Sequence, residues 1–267
     1  MMHELEEKAR ALIAFCDAQL GATSARPLVV GLQAPQGAGK TTLVTDVLGR
    51  LPGLGLRGAA VSIDDFYLTR QQQLALAARH PGNPYLEHRG YPGTHDVALG
   101  ERTLTALRAL SDDRAPAVRV PVYDKSLHGG RGDRAPEESW RVVSSPLDLI
   151  FVEGWMLGFV QVPDAAISDP YLLPPNHALA EYERWYRLID SFAVLRALDP
   201  NFVLRWRVEA EEAMKASGRP GLSREAIEDY VRRFLPAYHL YAGRADRWPA
   251  DRTLTLVLDG QRRLVTQ

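Results

Sequence analysis

The chain has a single cysteine, Cys16, which excludes an intramolecular disulfide and a cysteine-rich metal cluster. No apolar run reaches the roughly 18 residues that a membrane-spanning helix needs. No block of lysine and arginine stands out, and a formal net charge of −1 gives neither nucleic acid nor an anionic membrane an electrostatic reason to bind. Internal repeats and low-complexity tracts are missing, which sets aside solenoids and disordered segments. The amino-terminal stretch MMHELEEKARALIAF is charged and acidic, unlike a secretory or transit peptide, so a cytoplasmic location is expected.

With 267 residues, 46% of them hydrophobic, the chain can bury a full core. Leu5, Ala9, Leu12, Ile13 and Cys16 recur at helical spacing and predict a helix over 3–20, with Cys16 as a small core residue. Apolar runs predict strands at Leu28–Gln33, Ala59–Ile63, Val118–Tyr123, Leu147–Val152, Ser191–Leu195 and Thr253–Leu258. Helical spacing returns over 97–110, 178–188, 201–217 and 223–238. Two irregular stretches stand apart: HPGNPYLEHRGYPGTHD (80–96), after a short helix, and DKSLHGGRGDR (124–134). Long loops in a compact domain often contact substrate. Residues 160–177, rich in Pro, Asp and Leu, read as an insertion, and residues 1–26 as an added helix and linker. Strands alternating with helices predict a mainly parallel sheet covered on both faces, and no break suggests a second core, so one domain over 1–267 is expected.

The stretch LVVGLQAPQGAGKTT (28–42) carries the strongest chemical signal. Strand, Gly-rich loop and helix follow one another, and Ala34–Thr41 matches the phosphate-loop pattern, with Ala34 where the strict form has glycine. Gly37 and Gly39 allow backbone N–H groups to turn toward phosphate oxygens, and the following helix offers its unpaired N–H groups to the same anion. Gly37, Ala38, Gly39, Lys40, Thr41 and Thr42 are therefore the nucleotide-phosphate candidates, with Lys40 suited to the β/γ-phosphates and Thr41 to Mg²⁺. The expected class is α/β, a P-loop NTPase-type three-layer α/β/α fold. Two further strands end in carboxylates, Asp64-Asp65 and Glu153, which reach the same sheet edge if the strands are neighbours. Phosphoryl transfer to an alcohol needs cations on the γ-phosphoryl, a carboxylate to help hold hydrated Mg²⁺, and a base for the hydroxyl proton. Lys40, Thr41 and Glu153 suit the first two tasks and Asp64 or Asp65 the third. Helix capping is the competing account, but it explains one of the two aspartates and not the match with Glu153.

This arrangement resembles the phosphoribulokinase and uridine kinase group of P-loop kinases, in which an Asp-x-Phe after the second strand supplies the base; Asp64-Asp65-Phe66 fits, with Asp64 in first place. More specifically, APQGAGKTT (34–42), SIDDFYLT (62–69), RGYPGTHD (89–96), VPVYDKSLHGGRGDR (120–134) and VEGWMLGF (152–159) resemble the plant and fungal D-glycerate 3-kinase family. So do LRWRVEAEEAMKASGRPGLS (204–223) and RRFLPAYHLY (232–241). The resemblance implies ATP and Mg²⁺ as cosubstrates and D-glycerate as a small-molecule acceptor giving 3-phosphoglycerate. Asp64 would act as base and, with Thr41 and Glu153, lie near the metal.

A small anionic acceptor calls for basic and hydroxyl-reading groups. Asp65, Tyr67, Arg89, His95, Asp96, Tyr123, Lys125 and Arg131 are the candidates, all in SIDDFYLT or on or beside the two irregular stretches. By resemblance, a lid near 200–220 would bring Arg205 or Arg207 to the transferring phosphoryl, unless these arginines merely pair with Glu209, Glu211 and Glu212 on a solvated helix face. A nucleoside acceptor would need an aromatic sandwich, for which Tyr85, Tyr91 and Tyr123 are the available rings. The guanine-reading Asn-Lys-x-Asp of a GTPase is missing. Pantothenate, another sugar acid, or regulation without catalysis remain alternatives, and oligomeric state is not encoded in any pattern found.

Overall fold

Apolar residues fill nearly every position of 28–33 and 149–154, and both strands are buried along their whole length. That pattern belongs to strands covered on both faces. A computed structural model describes residues 2–216, 218, 224–242 and 247–265. In chain order the elements are α1 (Met2–Ala22), β1 (Leu28–Gln33), α2 (Lys40–Arg50), β2 (Gly58–Ser62), α3 (Arg70–Arg79) and α4 (Val97–Arg108). There follow β3 (Val118–Val120), β4 (Tyr123–Asp124), the distorted turn α5 (Leu127–Gly130), β5 (Asp133–Arg134), β6 (Arg141–Val143) and β7 (Leu149–Gly154). The last are α6 (Leu173–Ala178), α7 (Glu183–Tyr186), β8 (Ser191–Ala197), α8 (Phe202–Ala216), α9 (Arg224–Tyr241) and β9 (Thr253–Leu258). Residues 217, 219 and 220 of the lid candidate, and residue 223 at the start of its predicted helix, lie outside the described residues.

Five strands form one parallel sheet in the order β2-β7-β1-β8-β9. Successive side chains alternate between its faces. Leu28, Val30, Leu32, Leu149, Phe151, Ala193 and Leu195 pack with Leu12 and Cys16 of α1 and with Val44 and Val47 of α2. Val29, Ile150, Val152, Phe192 and Val194 join the opposite core with Leu104 and Leu107 of α4 and Val231 and Phe234 of α9. The expected three layers are thus present. Register fixes the site: Ser62 lies opposite Glu153, and Glu153 opposite Leu32, so β2, β7 and β1 end together at one edge.

Two expectations need correction. Residues 118–123 do not form one strand of the main sheet. Pro121, which has no N–H to give a ladder, separates β3 from β4, and these pair antiparallel with β6 and β5 as two small ribbons. β6 itself is too short to reveal a period. Residues 178–188 are not one α-helix but a 3₁₀ stretch, Leu179–Tyr182, running into α7. The buried Leu179, Tyr182 and Trp185 recur every third residue, a spacing that suits a 3₁₀ turn as well as an α-helix.

Candidate active site

β1 runs into the phosphate loop, and Gly37 and Gly39 adopt φ values of 78° and 87°, a region hostile to side chains. Gly37 has a second reason to lack a Cβ, which would lie 2.8 Å from the main-chain carbonyl carbon of Trp206, because α8 sits directly on the loop. Ala38 is buried and donates its N–H to the Pro35 carbonyl at 3.2 Å, while Gly39, Thr41 and Thr42 are exposed at the start of α2. Glu153, at the end of β7, joins the loop's two functional side chains. Lys40 Nζ stands 3.0 Å from Oε2, and the Thr41 hydroxyl donates to Oε1 at 3.2 Å. Glu153 is 5% exposed, and apart from its ion pair with Lys40 its buried Oε2 has no hydrogen-bond partner among the described residues. A buried carboxylate that pairs with Lys40 through one oxygen and accepts from a threonine hydroxyl through the other suits a hard cation next to a phosphate.

Residues 63–66 make one 3₁₀ turn that leaves β2 and crosses the end of β7 so closely that a Cβ on Gly154 would lie 2.3 Å from Ile63 Cδ1. A capping box closes this turn: Asp64 N–H donates to Ser62 Oγ at 3.3 Å, and Ser62 N–H donates to Asp65 Oδ2 at 3.4 Å. The cap therefore engages the Asp65 carboxylate, which also lies 4.0 Å from Arg141. Burial pushes Asp65 up to about 6 against the pull of Arg141. The Asp64 carboxylate, not engaged by the cap, accepts from Lys125 Nζ. Burial would raise Asp64, but the charges of Lys125 and Lys40 outweigh it and hold the carboxyl well below the usual range.

Around Asp64 stands a wall of rings. Tyr67 stacks on His95 with centroids 4.4 Å apart and meets Tyr123 edge-on at 5.3 Å. Burial first, then the neighbouring Asp64 carboxylate, keep the Tyr67 phenol neutral. His95 is buried; its Nδ1 lies 2.7 Å from the Tyr182 hydroxyl, and its Nε2 has no hydrogen-bond partner among the described residues. Burial lowers it to about 4, so the ring is neutral.

The other acceptor candidates divide. Asp96 caps α4 by accepting from Leu99 N–H at 2.9 Å and receives Arg134 at 3.3 Å, so its carboxylate works inside the fold. Arg89 donates to the carbonyls of Gly130 and Arg131 and lies 5.5 Å from the Tyr123 ring centroid, tying down the Gly-rich loop from within. Arg131 is exposed and lies against the His88 ring, not Asp64. Lys125 alone of the basic candidates touches the Asp64 carboxylate.

Arg205 is not brought to this edge. It points along α8 to Glu209, 3.7 Å away, and over the backbone of Gly260, where it is half-exposed. Arg207, two residues on and so on another helix face, turns inward, lies 5.5 Å from the Tyr230 ring centroid and pairs with Glu211. Of the two arginines it is thus Arg207 that lies beside Tyr230, whose hydroxyl accepts from Gln36 of the phosphate loop. Tyr230 and Tyr238 escaped the sequence reading. Gln36 of the loop donates its side chain to Tyr230 at 3.3 Å and its backbone N–H to Tyr238 at 2.9 Å. Their spacing along α9, with Phe234 between, was the available signal.

No family model matches the chain. It is 43% identical over 244 residues to the chloroplastic D-glycerate 3-kinase of Arabidopsis thaliana, covering 88% of this chain and 53% of that protein, so it spans about half that relative's length. It is 36% identical over 230 residues to a Schizosaccharomyces pombe protein described as an uncharacterized kinase, with 82% of each covered. The D-glycerate 3-kinase of Cryptococcus neoformans superposes with a TM-score of 0.87 at 31% identity, over 98% of this chain and 97% of that one. Among the described residues no helix is long and apolar enough to cross a membrane. With its phosphate loop, its Glu153 and Asp64 at one sheet edge and these relatives, the chain belongs to the D-glycerate 3-kinase family of P-loop kinases.

Proposed function

We propose that the chain transfers the γ-phosphoryl group of ATP to a hydroxyl of D-glycerate, giving 3-phosphoglycerate and ADP. The observation that carries this reading is the Asp64 carboxylate, ionised between two lysines and delivered to the edge where Lys40, Thr41 and Glu153 meet. The acceptor hydroxyl oxygen forms the new bond to phosphorus, the bond from phosphorus to the β–γ bridging oxygen breaks, and the hydroxyl proton passes to Asp64. Lys40 neutralises charge on the transferring group, and Arg207 is the α8 arginine positioned to assist. Thr41 and Glu153 fit Mg²⁺, with Asp64 near it; bound Mg²⁺ would supply charge neutralisation on the β- and γ-phosphates.

The acceptor carboxylate is read by Lys125, whose side chain is 56% exposed on a Gly-rich loop and free to exchange Asp64 for another carboxylate. That exchange leaves Asp64 with one cation fewer and makes it a better base. Tyr67, Tyr123 and Tyr230 surround the pair, and Arg89 orders the loop that carries Lys125. A nucleoside acceptor lacks support, since Tyr85 and Tyr91 pack into the core and offer no sandwich.

The test is ADP release with Mg·ATP against D-glycerate, L-glycerate, glycerol, pantothenate and uridine, with a no-acceptor control. Release that depends on D-glycerate is expected. Release with another acceptor overturns the substrate assignment, and release without any acceptor overturns the transferase reading.

A further inference from the structure

Arg262 lies far from every motif, yet it is wired into the phosphate loop. Its Nε donates to the Gly37 carbonyl at 2.7 Å, Nη2 to the Trp206 carbonyl at 3.2 Å, and Nη1 to Glu209 at 2.5 Å. The guanidinium carbon also lies 5.4 Å from the Trp206 ring centroid. Three acceptors in three directions need the planar fork of arginine; a lysine ammonium has no such geometry. The residue is built into place. It adopts φ 65°, a region that a residue with a Cβ avoids unless its surroundings hold it there. Its N–H donates to the Asp259 carbonyl at 3.0 Å, and its own carbonyl accepts from Lys8 Nζ at 2.9 Å. Lys8 is 7% exposed, so the first helix, which carries no motif, lends a buried cation to this support. Trp206 completes the latch by donating Nε1–H to the Gly260 carbonyl at 2.8 Å.

The peptide plane joining Gly37 to Ala38 is the part of this assembly that matters for the ligand. Glycine on the positive side of φ turns over easily, and a turned-over peptide exchanges the directions of its C=O and N–H. In a phosphate loop that exchange would present a carbonyl oxygen, a partial negative charge, to the anion. We infer that Arg262 is a positioning residue for nucleotide binding: it holds the Gly37 carbonyl against α8, in the plane whose Ala38 N–H donates to the Pro35 carbonyl, and so keeps that carbonyl oxygen from turning toward the phosphate.

This inference rests on the nucleotide reading of the loop, which binding of ATP and ADP to the unaltered protein checks first. The decisive comparison is calorimetric binding of Mg·ADP to Arg262→Met and to Glu209→Gln. Arg262→Met is expected to weaken binding about tenfold or more through loss of a charge-assisted bond, with the KM for acceptor within about twofold. Glu209→Gln removes the ion pair, leaves both carbonyl bonds, and is expected to bind as the unaltered protein does. If Arg262→Met does not fold, Arg262→Gln, which keeps the stem over Trp206, carries the same comparison. Unchanged affinity in the folded Arg262 variant overturns the inference. Equal weakening by Glu209→Gln also overturns it, since the seat of α8 and not the Gly37 carbonyl would then be responsible.

Discussion

Replacing Glu153 by glutamine separates two jobs that one carboxylate performs, and the two respond with opposite signs. Glu153 neutralises Lys40 at 3.0 Å through Oε2, and its Oε1 accepts from the Thr41 hydroxyl, the group suited to Mg²⁺. At an effective dielectric of about 20, the gross attraction across that gap is about 5.5 kcal/mol. Most of it is offset by the desolvation of both groups. The Lys40 side chain is 18% exposed and can solvate part of its charge once unpaired, so the cost of stranding it is about 1–2 kcal/mol. A triphosphate recovers that cost by becoming the partner of Lys40. Glu153→Gln should therefore bind metal-free ATP about 5- to 30-fold more tightly than the unaltered protein. With Mg²⁺ the order reverses, because the variant lacks the anionic oxygen, and turnover falls by about a hundredfold or more. Titration calorimetry of ATP, once with chelator and once with Mg²⁺, reads both effects. Equal weakening under the two conditions would refute the reasoning and leave Glu153 a structural residue.

Asp64→Asn should leave ATP binding nearly unchanged and lower turnover about a hundredfold or more, as expected for a lost general base; normal turnover in single-turnover kinetics would remove Asp64 from the mechanism. Lys125→Met should raise the KM for D-glycerate by tenfold or more, the order of a lost hydrogen bond to a charged group, and should leave the KM for ATP alone; a rise in the ATP value instead would assign Lys125 to the nucleotide. Asp65 tests the capping role by pH. Its folded value of about 6 lies above the ordinary 3.8, so its contribution to stability is full below about 3.8 and is lost as pH rises through 6. Asp65→Asn keeps an acceptor for Ser62 N–H and should raise the thermal midpoint at pH 7–8 with little change near pH 4; a uniform shift at all pH values would contradict the buried-charge cause. His95 has the opposite sign: its value is lowered to about 4, so the stability it gives is present above about 6.5 and lost as pH falls toward 4. Proton NMR of the ring should find it neutral at pH 6.

Much of the frame was legible because its causes are local. The runs at 28–33 and 147–152 could be read from composition, and the loop glycines announce their own backbone geometry. Spacing alone left Asp64 and Asp65 open, since either can cap a turn, and only the family resemblance put Asp64 first; which carboxylate the cap engages depends on Ser62 lying two residues before one and three before the other. The directions of Arg89 and Asp96 could not be read, because their partners, Gly130, Arg131 and Arg134, come from a loop about 40 residues away. Arg205 and Arg207 differ by two residues on a helix, and only the placement of α8 on Gly37 decides which one turns inward. Arg262 had no pattern to betray it, since its function resides in a carbonyl of the loop.

Each group assigned to the chemistry has a partner of opposite charge within the chain: Lys40 has Glu153, Asp64 has Lys125, and Arg207 has Glu211. That arrangement has a thermodynamic reason. A partly buried cation without a counter-ion would weaken the fold, and a site of like charges would repel itself. Internal pairing removes both costs, and it turns binding into an exchange of partners and not a fresh desolvation. On the proposed roles of Lys125 and Asp64, the same exchange would supply selectivity. An alcohol without a carboxylate has nothing to draw Lys125 from Asp64, so the base stays neutralised and the phosphoryl group stays where it is. Glycerol, which matches glycerate except for that carboxylate, should therefore fail in kcat as well as in KM, and raising its concentration should not recover the rate. Full turnover at saturating glycerol would show that Lys125 reads the acceptor without controlling the base.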